Sequence, residues 1–189
     1  HDNIGAYAST VLYKTDLLQK DLLPDERDNL MNDLRFASKD IITSLRETIW
    51  ALKKDTYSAQ DCLLRIRNFV QPFIKYYPAI HFSVKGEAPE GRILHYTHAL
   101  NLVRIVQEAI SNAIKHAGAT AVIVESTVKE EKWHLVVKDN GKGFEIANAK
   151  TGLGLVGLKE RSQLLNGELL VNSNIGEGTT IEVKIQNPK

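Results

Sequence analysis

Cysteine is almost absent from this chain. Among its 189 residues there is one, Cys62, which excludes an intrachain disulfide framework. Its neighbours Leu63, Leu64 and Ile66 mark it as a small buried apolar residue in a reducing compartment rather than as a nucleophile. No apolar run approaches the length that spans a bilayer, and the first residues lack the pattern of a signal peptide. Neither sign of charge dominates: 24 Lys and Arg stand against 23 Asp and Glu, a formal net charge of +1. That balance gives no electrostatic footing for nucleic acid or for an acidic membrane surface. Internal repeats and low-complexity tracts are lacking as well. The sequence starts at His1 without a methionine and reads as a fragment, with sensor or membrane segments expected upstream. What is present is a chain long enough for one or two domains with cores of their own.

The N-terminal part is patterned for helices. Ile4, Ala8, Val11, Thr15, Leu18 and Leu22 alternate four and three apart, and Leu12 and Leu17 widen the seam, so residues 1–23 read as one helix. Pro24-Asp25 marks a turn and a new start. Leu30, Leu34, Ala37, Ile41, Leu45, Thr48/Ile49 and Leu52 carry a second helix to about Lys54. Two long helices and a short turn predict an antiparallel hairpin. A lone hairpin cannot bury two broad apolar faces, whereas a second copy completes a dimeric four-helix bundle; packing on the C-terminal part of the same chain is the alternative. Residues 53–59 are polar and turn-prone, which predicts domains at 1–54 and 58–189.

Beyond that boundary, Ser58 with Asp61 predicts a capped helix to about Tyr76, bent or interrupted at Pro72. Ile80, Phe82 and Val84 alternate as a strand, and 86–92 reads as a loop. Leu102, Ile105, Val106, Ala109, Ile110, Ala113 and Ile114 form the apolar face of a helix that Gly118 ends. Strands follow at 121–127 and 133–138 around a turn at 129–132, then a helix at 158–165, then strands at 169–172 and 180–185. Strands grouped with three helices predict a two-layer α/β sandwich, and an α+β chain as a whole.

The helix at 102–117 carries a second stripe: Arg104, Glu108, Asn112 and Lys115/His116 fall three and four apart. Solvated charge explains such a stripe on its own. It is followed, however, by Asp139-Asn-Gly-Lys-Gly-Phe144, by Gly152-Leu-Gly-Leu155 and by Gly176-Glu-Gly-Thr179. Each turn has an ordinary reading too, Asp-Asn-Gly being a common hairpin turn. A polar helix and three glycine turns in this order are far more specific than any one of them. From about Leu94 to Ile185 the chain resembles the ATP-binding domain shared by sensor histidine kinases, DNA gyrase, Hsp90 and MutL.

The resemblance implies roles. Asp139 accepts the adenine amino group, and Gly141 and Gly143 leave the base room. Gly152, Leu153, Gly154 and Leu155 form a turn whose free N–H groups meet phosphate oxygens at the start of a helix. Asn112 is the implied Mg2+ ligand, with Glu108 acting through a water. Lys115 and His116 lie within reach of the phosphates, though His116 suits a helix C-terminal cation equally well. The Thr179 hydroxyl helps hold the aspartate and the adenine. Residues 145–151 form a short lid; Lys150 there reads as a phosphate contact or as an exposed lysine.

His1-Asp-Asn-Ile-Gly5 resembles the phosphoacceptor box of nitrate-sensor-type histidine kinases, and Leu45-Arg-Glu-Thr-Ile-Trp-Ala-Leu52 the end of their second bundle helix. That implies His1 as nucleophile, with Asp2 taking its proton; a frayed end or tag remnant is the plainer reading of His1. Many relatives carry His-Asp-x-x-x-Gln, and Ala6 stands at the glutamine's place, which puts phosphatase activity in doubt. The expectation is a cytoplasmic transmitter core: a homodimer that uses ATP and Mg2+ to phosphorylate itself and then a response regulator receiver domain, with no nucleic-acid or membrane contact of its own. The alternatives are an anti-sigma-type serine/threonine kinase, which would not need the hairpin, and a noncatalytic nucleotide-binding dimerisation module. A gyrase-type ATPase would use Glu108 to activate water.

Overall fold

The computed structural model describes residues 2–20, 23–146 and 153–186. The chain divides into two compact units, His1–Lys54 and Asp55–Lys189.

The first unit is helical, with α1 at Asp2–Leu17 and α2 at Pro24–Ala51. Pro24 occupies the first helical position of α2, where its missing N–H is not needed. Glu26 reaches back to the Leu23 N–H at 3.2 Å. The two helices lie against each other, and Lys14 of α1 is bonded to Asp33 of α2. Residues 18–20 continue as a turn rather than as helix. No helix among the described residues is long and apolar enough to cross a membrane.

The second unit opens with β1 (Thr56–Ser58) and α3 (Ala59–Tyr76), then β2 (His81–Gly86) and β3 (Ile93–His95). Ser58 and Asp61 form the reciprocal cap that their spacing predicts, with both bonds at 3.0 Å. Pro72 does not interrupt α3. The carbonyl it deprives of a partner belongs to Asn68, four residues back on the same exposed face, where water can serve it. Next come α4 (Tyr96–Asn112), a π-helical turn (Ala113–Ala117), β4 (Ala121–Lys129), β5 (Lys132–Asp139), α5 (Leu153–Leu164), β6 (Glu168–Asn174) and β7 (Gly178–Gln186).

The main sheet has the order β2-β4-β5-β7-β6. β2 runs parallel to β4 and the other ladders are antiparallel. One face is apolar: Val122 and Val124 of β4, Trp133, Leu135 and Val137 of β5, and Ile181, Val183 and Ile185 of β7 are buried. α3, α4 and α5 cover it with Ile66, Leu102, Ile105, Ile110 and Leu158. The indole N–H of the fully buried Trp133 donates to Ser126 Oγ at 2.9 Å, whose own hydroxyl donates to the Glu87 carbonyl at 2.8 Å, so this polar pair is satisfied inside the core. Burial and the neighbouring Asp61 charge push the Cys62 thiol up to about 12, the behaviour of an inert structural cysteine.

Three elements differ from the sequence pattern. β1 pairs with β3, Tyr57 opposite Leu94, where 53–59 was expected as a linker and 93–95 had no assigned element. The last helix starts at Leu153 rather than Leu158, so Gly154 and Gly157 lie within it.

Candidate nucleotide site

α4 builds the first wall. Its apolar face fixes the helix on the sheet, which leaves Glu108 and Asn112 half-buried on another side. The first turn of α5 faces them. A Cβ placed on Gly154 would stand 3.2 Å from Glu108 Oε1 and 3.5 Å from Asn112 Nδ2. Bare backbone is therefore set beside a carboxylate and an amide, at a helix start whose N–H groups have no partners within the helix. Leu155 is half-buried beside it. Gly152 lies outside the described residues, as do 147–151 of the expected lid, and of Leu153 only the backbone is described.

After Asn112 the helix widens into the π turn and ends at Gly118 in the left-handed conformation, φ +62°. Such turns recur at functional sites. Lys115 and His116 sit in it, both exposed. Its last residue, Ala117, accepts the Lys142 N–H at 2.8 Å and packs so close to Gly141 that a Cβ there would lie 2.5 Å away.

Asp139 ends β5. Its Oδ1 accepts the Gly141 N–H at 2.8 Å, closing a tight turn. That turn leads away from the sheet toward α5 and does not join two strands of a hairpin. Asn140 anchors it: Oδ1 accepts the N–H groups of Thr120 and Ala121 at 2.9 and 2.8 Å, and Nδ2 donates to Thr120 Oγ1 at 2.9 Å. Gly143, at φ +60°, runs so close to the next turn that a Cβ would stand 1.9 Å from the Asn174 carbonyl. Gly176 donates to the Lys142 carbonyl at 2.7 Å, so the two glycine turns are stitched together.

Thr179 pairs directly with Asp139 across β5 and β7, and with Ser173 across β7 and β6. Its hydroxyl bonds Ser173 Oγ at 3.0 Å rather than the aspartate it was expected to hold. Ser173 was not singled out from the sequence, where a lone serine in a strand carries no motif. The available signal was its position: two residues after the apolar Val171 of an alternating strand, which turns it inward.

The structure thus brings Glu108, Asn112 and Gly154 together, and separately Asp139, Gly141, Gly143 and Thr179. His1 lies outside the described residues; Asp2 starts α1, and its side chain is not among those described.

Residues 97–189 match the family described as histidine kinase-, DNA gyrase B-, and HSP90-like ATPases. DegS of Brevibacillus brevis, a signal transduction histidine-protein kinase/phosphatase, is 31% identical over 98% of this chain and 48% of its own length. NarX of Escherichia coli (strain K12), a nitrate/nitrite sensor protein, is 28% identical over 97% of this chain and 31% of its own. The solved structure of the Acinetobacter baumannii histidine kinase AdeS shares the fold, with a TM-score of 0.64 at 16% identity over 97% of this chain and 96% of that one. The fold and the order of the glycine turns define an ATP-binding domain of the histidine kinase, gyrase B and HSP90 class. Within that class the chain belongs to the two-component sensor histidine kinases. It spans about half the length of the DegS relative.

Proposed function

We propose that this chain is the transmitter core of its kinase: it binds ATP in the Asp55–Lys189 unit, phosphorylates His1 and passes the phosphoryl group to an aspartate of a response regulator receiver domain. The observation that carries this reading is the bare backbone of Gly154 set against Glu108 and Asn112, where a Cβ would stand 3.2 Å from the carboxylate. It fits phosphate oxygens with a cation beside them, because backbone N–H groups, a carboxylate and a neutral amide converge there. Asn112 would hold Mg2+ through its amide oxygen, and Glu108 would act on it through water. The ion supplies charge neutralisation on the phosphates when bound. Asp139 would accept the adenine amine, with Gly141 and Gly143 leaving the base room and Thr179 beside it; the Gly152–Leu155 stretch would take phosphate. Lys115 and His116 would add positive charge near them.

Phosphoryl transfer leaves little covalent chemistry to the protein beyond position and electrostatics. The acceptor imidazole attacks only as the neutral base, so Asp2 beside it would take up its proton. The helical unit would supply the dimer. Ile42, Leu45 and Ile49 of α2, and Leu52 at its C-cap, are exposed at 50, 44, 58 and 69% and recur three and four apart, the seam of a bundle helix. Supporting a second copy as its cover is the antiparallel hairpin read from the sequence. The reading places the domain in the cytoplasm.

The test is incubation with γ-labelled ATP and Mg2+, then treatment of the labelled protein with acid and with base. Label lost in acid, kept in base and abolished by His1→Gln is expected. Acid-stable label would move the acceptor to a hydroxyl and overturn the histidine assignment.

A further inference from the structure

Ser173 is a hydrogen-bond junction whose proton count is fixed by its partners. It is 8% exposed, and its Oγ makes three bonds, each of 3.0 Å: with the Phe144 N–H, the Gly178 carbonyl and the Thr179 hydroxyl. A hydroxyl offers one hydrogen and two lone pairs. The carbonyl of Gly178 can only accept, so it takes the Ser173 hydrogen. The Phe144 amide can only donate, so it uses one lone pair. The remaining lone pair must receive the hydrogen of Thr179. The Thr179 hydroxyl is therefore spent inward, and to anything else its oxygen is an acceptor only.

Asp139, Thr179 and Ser173 stand directly opposite one another across β5, β7 and β6, and directly opposed residues of an antiparallel sheet share a face. One row thus holds an aspartate whose carboxylate accepts, a threonine wired to accept, and the serine that does the wiring. We propose that Ser173 is a positioning residue that makes the Asp139–Thr179 end of the site acceptor-only and thereby selects a purine with an amino group at its 6-position over one with a 6-oxo group. The inference rests on the reading that the base lies at Asp139. A 6-oxo group puts an acceptor where the amine put two hydrogens, and the one hydrogen left on that edge, at N1, can serve only one of the two acceptors, so at least one is left unpaired. Without Ser173 the threonine hydrogen is released and can turn toward the oxo group.

The test is equilibrium binding of ATP and of inosine triphosphate, whose base carries a 6-oxo group in place of the amine. Ser173→Ala is expected to lower the ATP-over-inosine-triphosphate preference about tenfold and to raise amide hydrogen exchange at Phe144 without any ligand. Ser173→Cys, which keeps the volume, is expected to act in the same direction, and Ser173→Thr to restore the preference. In a Thr179→Val background, Ser173→Ala is expected to leave the ratio unchanged. An unchanged ratio in both Ser173→Ala and Ser173→Cys, while Asp139→Asn weakens ATP binding, would overturn the inference and keep the site. ATP binding that survives Asp139→Asn would overturn the reading of the site itself, and this proposal with it.

Discussion

The two units dispose of their large apolar side chains in opposite ways. In Asp55–Lys189, Trp133, Ile66 and Leu102 are 0% exposed and Leu135 is 1%. In His1–Lys54, Leu12 is 68%, Ile49 58% and Leu52 69% exposed, although the pattern that made these residues helical is as regular as any in the chain. The sheet unit can bury one face against three helices. A pair of helices has no third layer, so each keeps an outward stripe. One unit encloses its apolar face, and the other leaves part of its own uncovered.

The largest effect on this contrast belongs to Trp133→Ala. It empties the centre of the sheet unit and leaves Ser126 without its indole donor, and should lower stability by about 3–5 kcal/mol in denaturant unfolding. Ile49→Ala would change a solitary helix pair by roughly 0.5 kcal/mol or less; a bundle completed by a second copy would lose far more, with an unfolding midpoint that moves with protein concentration. Replacing Ile42, Leu45 and Ile49 together by Asp should turn a dimer into a monomer in sedimentation equilibrium. If it leaves the mass unchanged, the stripe is not the dimer seam.

Next in size is a pH effect confined to the sheet unit. The Cys62 thiol, ordinarily at 9.0, is held protonated up to about 12 by burial first and by Asp61 second. The folded state keeps a proton that the unfolded state gives up. This contribution is therefore complete below pH 9.0 and is lost as pH rises toward about 12. Urea stability measured across that window should fall more steeply for the native protein than for Cys62→Ala. The smallest change lies at the 129–132 turn, where Glu130 and Glu131 take φ of 50° and 59°. This two-residue hairpin geometry favours Asn-Gly. The pair of substitutions Glu130→Asn and Glu131→Gly should raise Tm, adding about 1 kcal/mol. ATP affinity should be untouched, since the turn lies at the far end of β4 and β5 from Asp139.

Most long elements were legible from residue patterns alone, because alternation and helical spacing are enforced by one buried face. The cap at Ser58 and Asp61 and the turn at 129–132 were equally readable. What escaped was set by tertiary contact. β1 and β3 are three residues each, with a single inward side chain apiece in Tyr57 and Leu94, too short for any period to show. Gly152 to Gly157 read as a turn because glycine disfavours helix; from Leu153 onward, Leu158 buried at 0% and the close approach of Gly154 to Glu108 hold the chain helical. The π turn has no sequence signature. Motifs likewise pointed to Asp139, Asn112 and Thr179 but not to Ser173, whose importance comes from three partners brought to it by the chain's return.

The parallel pairing of β2 with β4 bears on how the domain comes into being. β4 with β5, and β6 with β7, are neighbours in sequence and can zip as local hairpins within microseconds. β2 reaches β4 only through β3 and α4, a long crossover whose closure entropy must be met before the ladder rewards it. The helix in that crossover carries Glu108 and Asn112. Glu108 and Asn112 thus meet Gly154 only through a long-range docking, and a chain with both hairpins formed but this crossover undocked would lack that wall of the site.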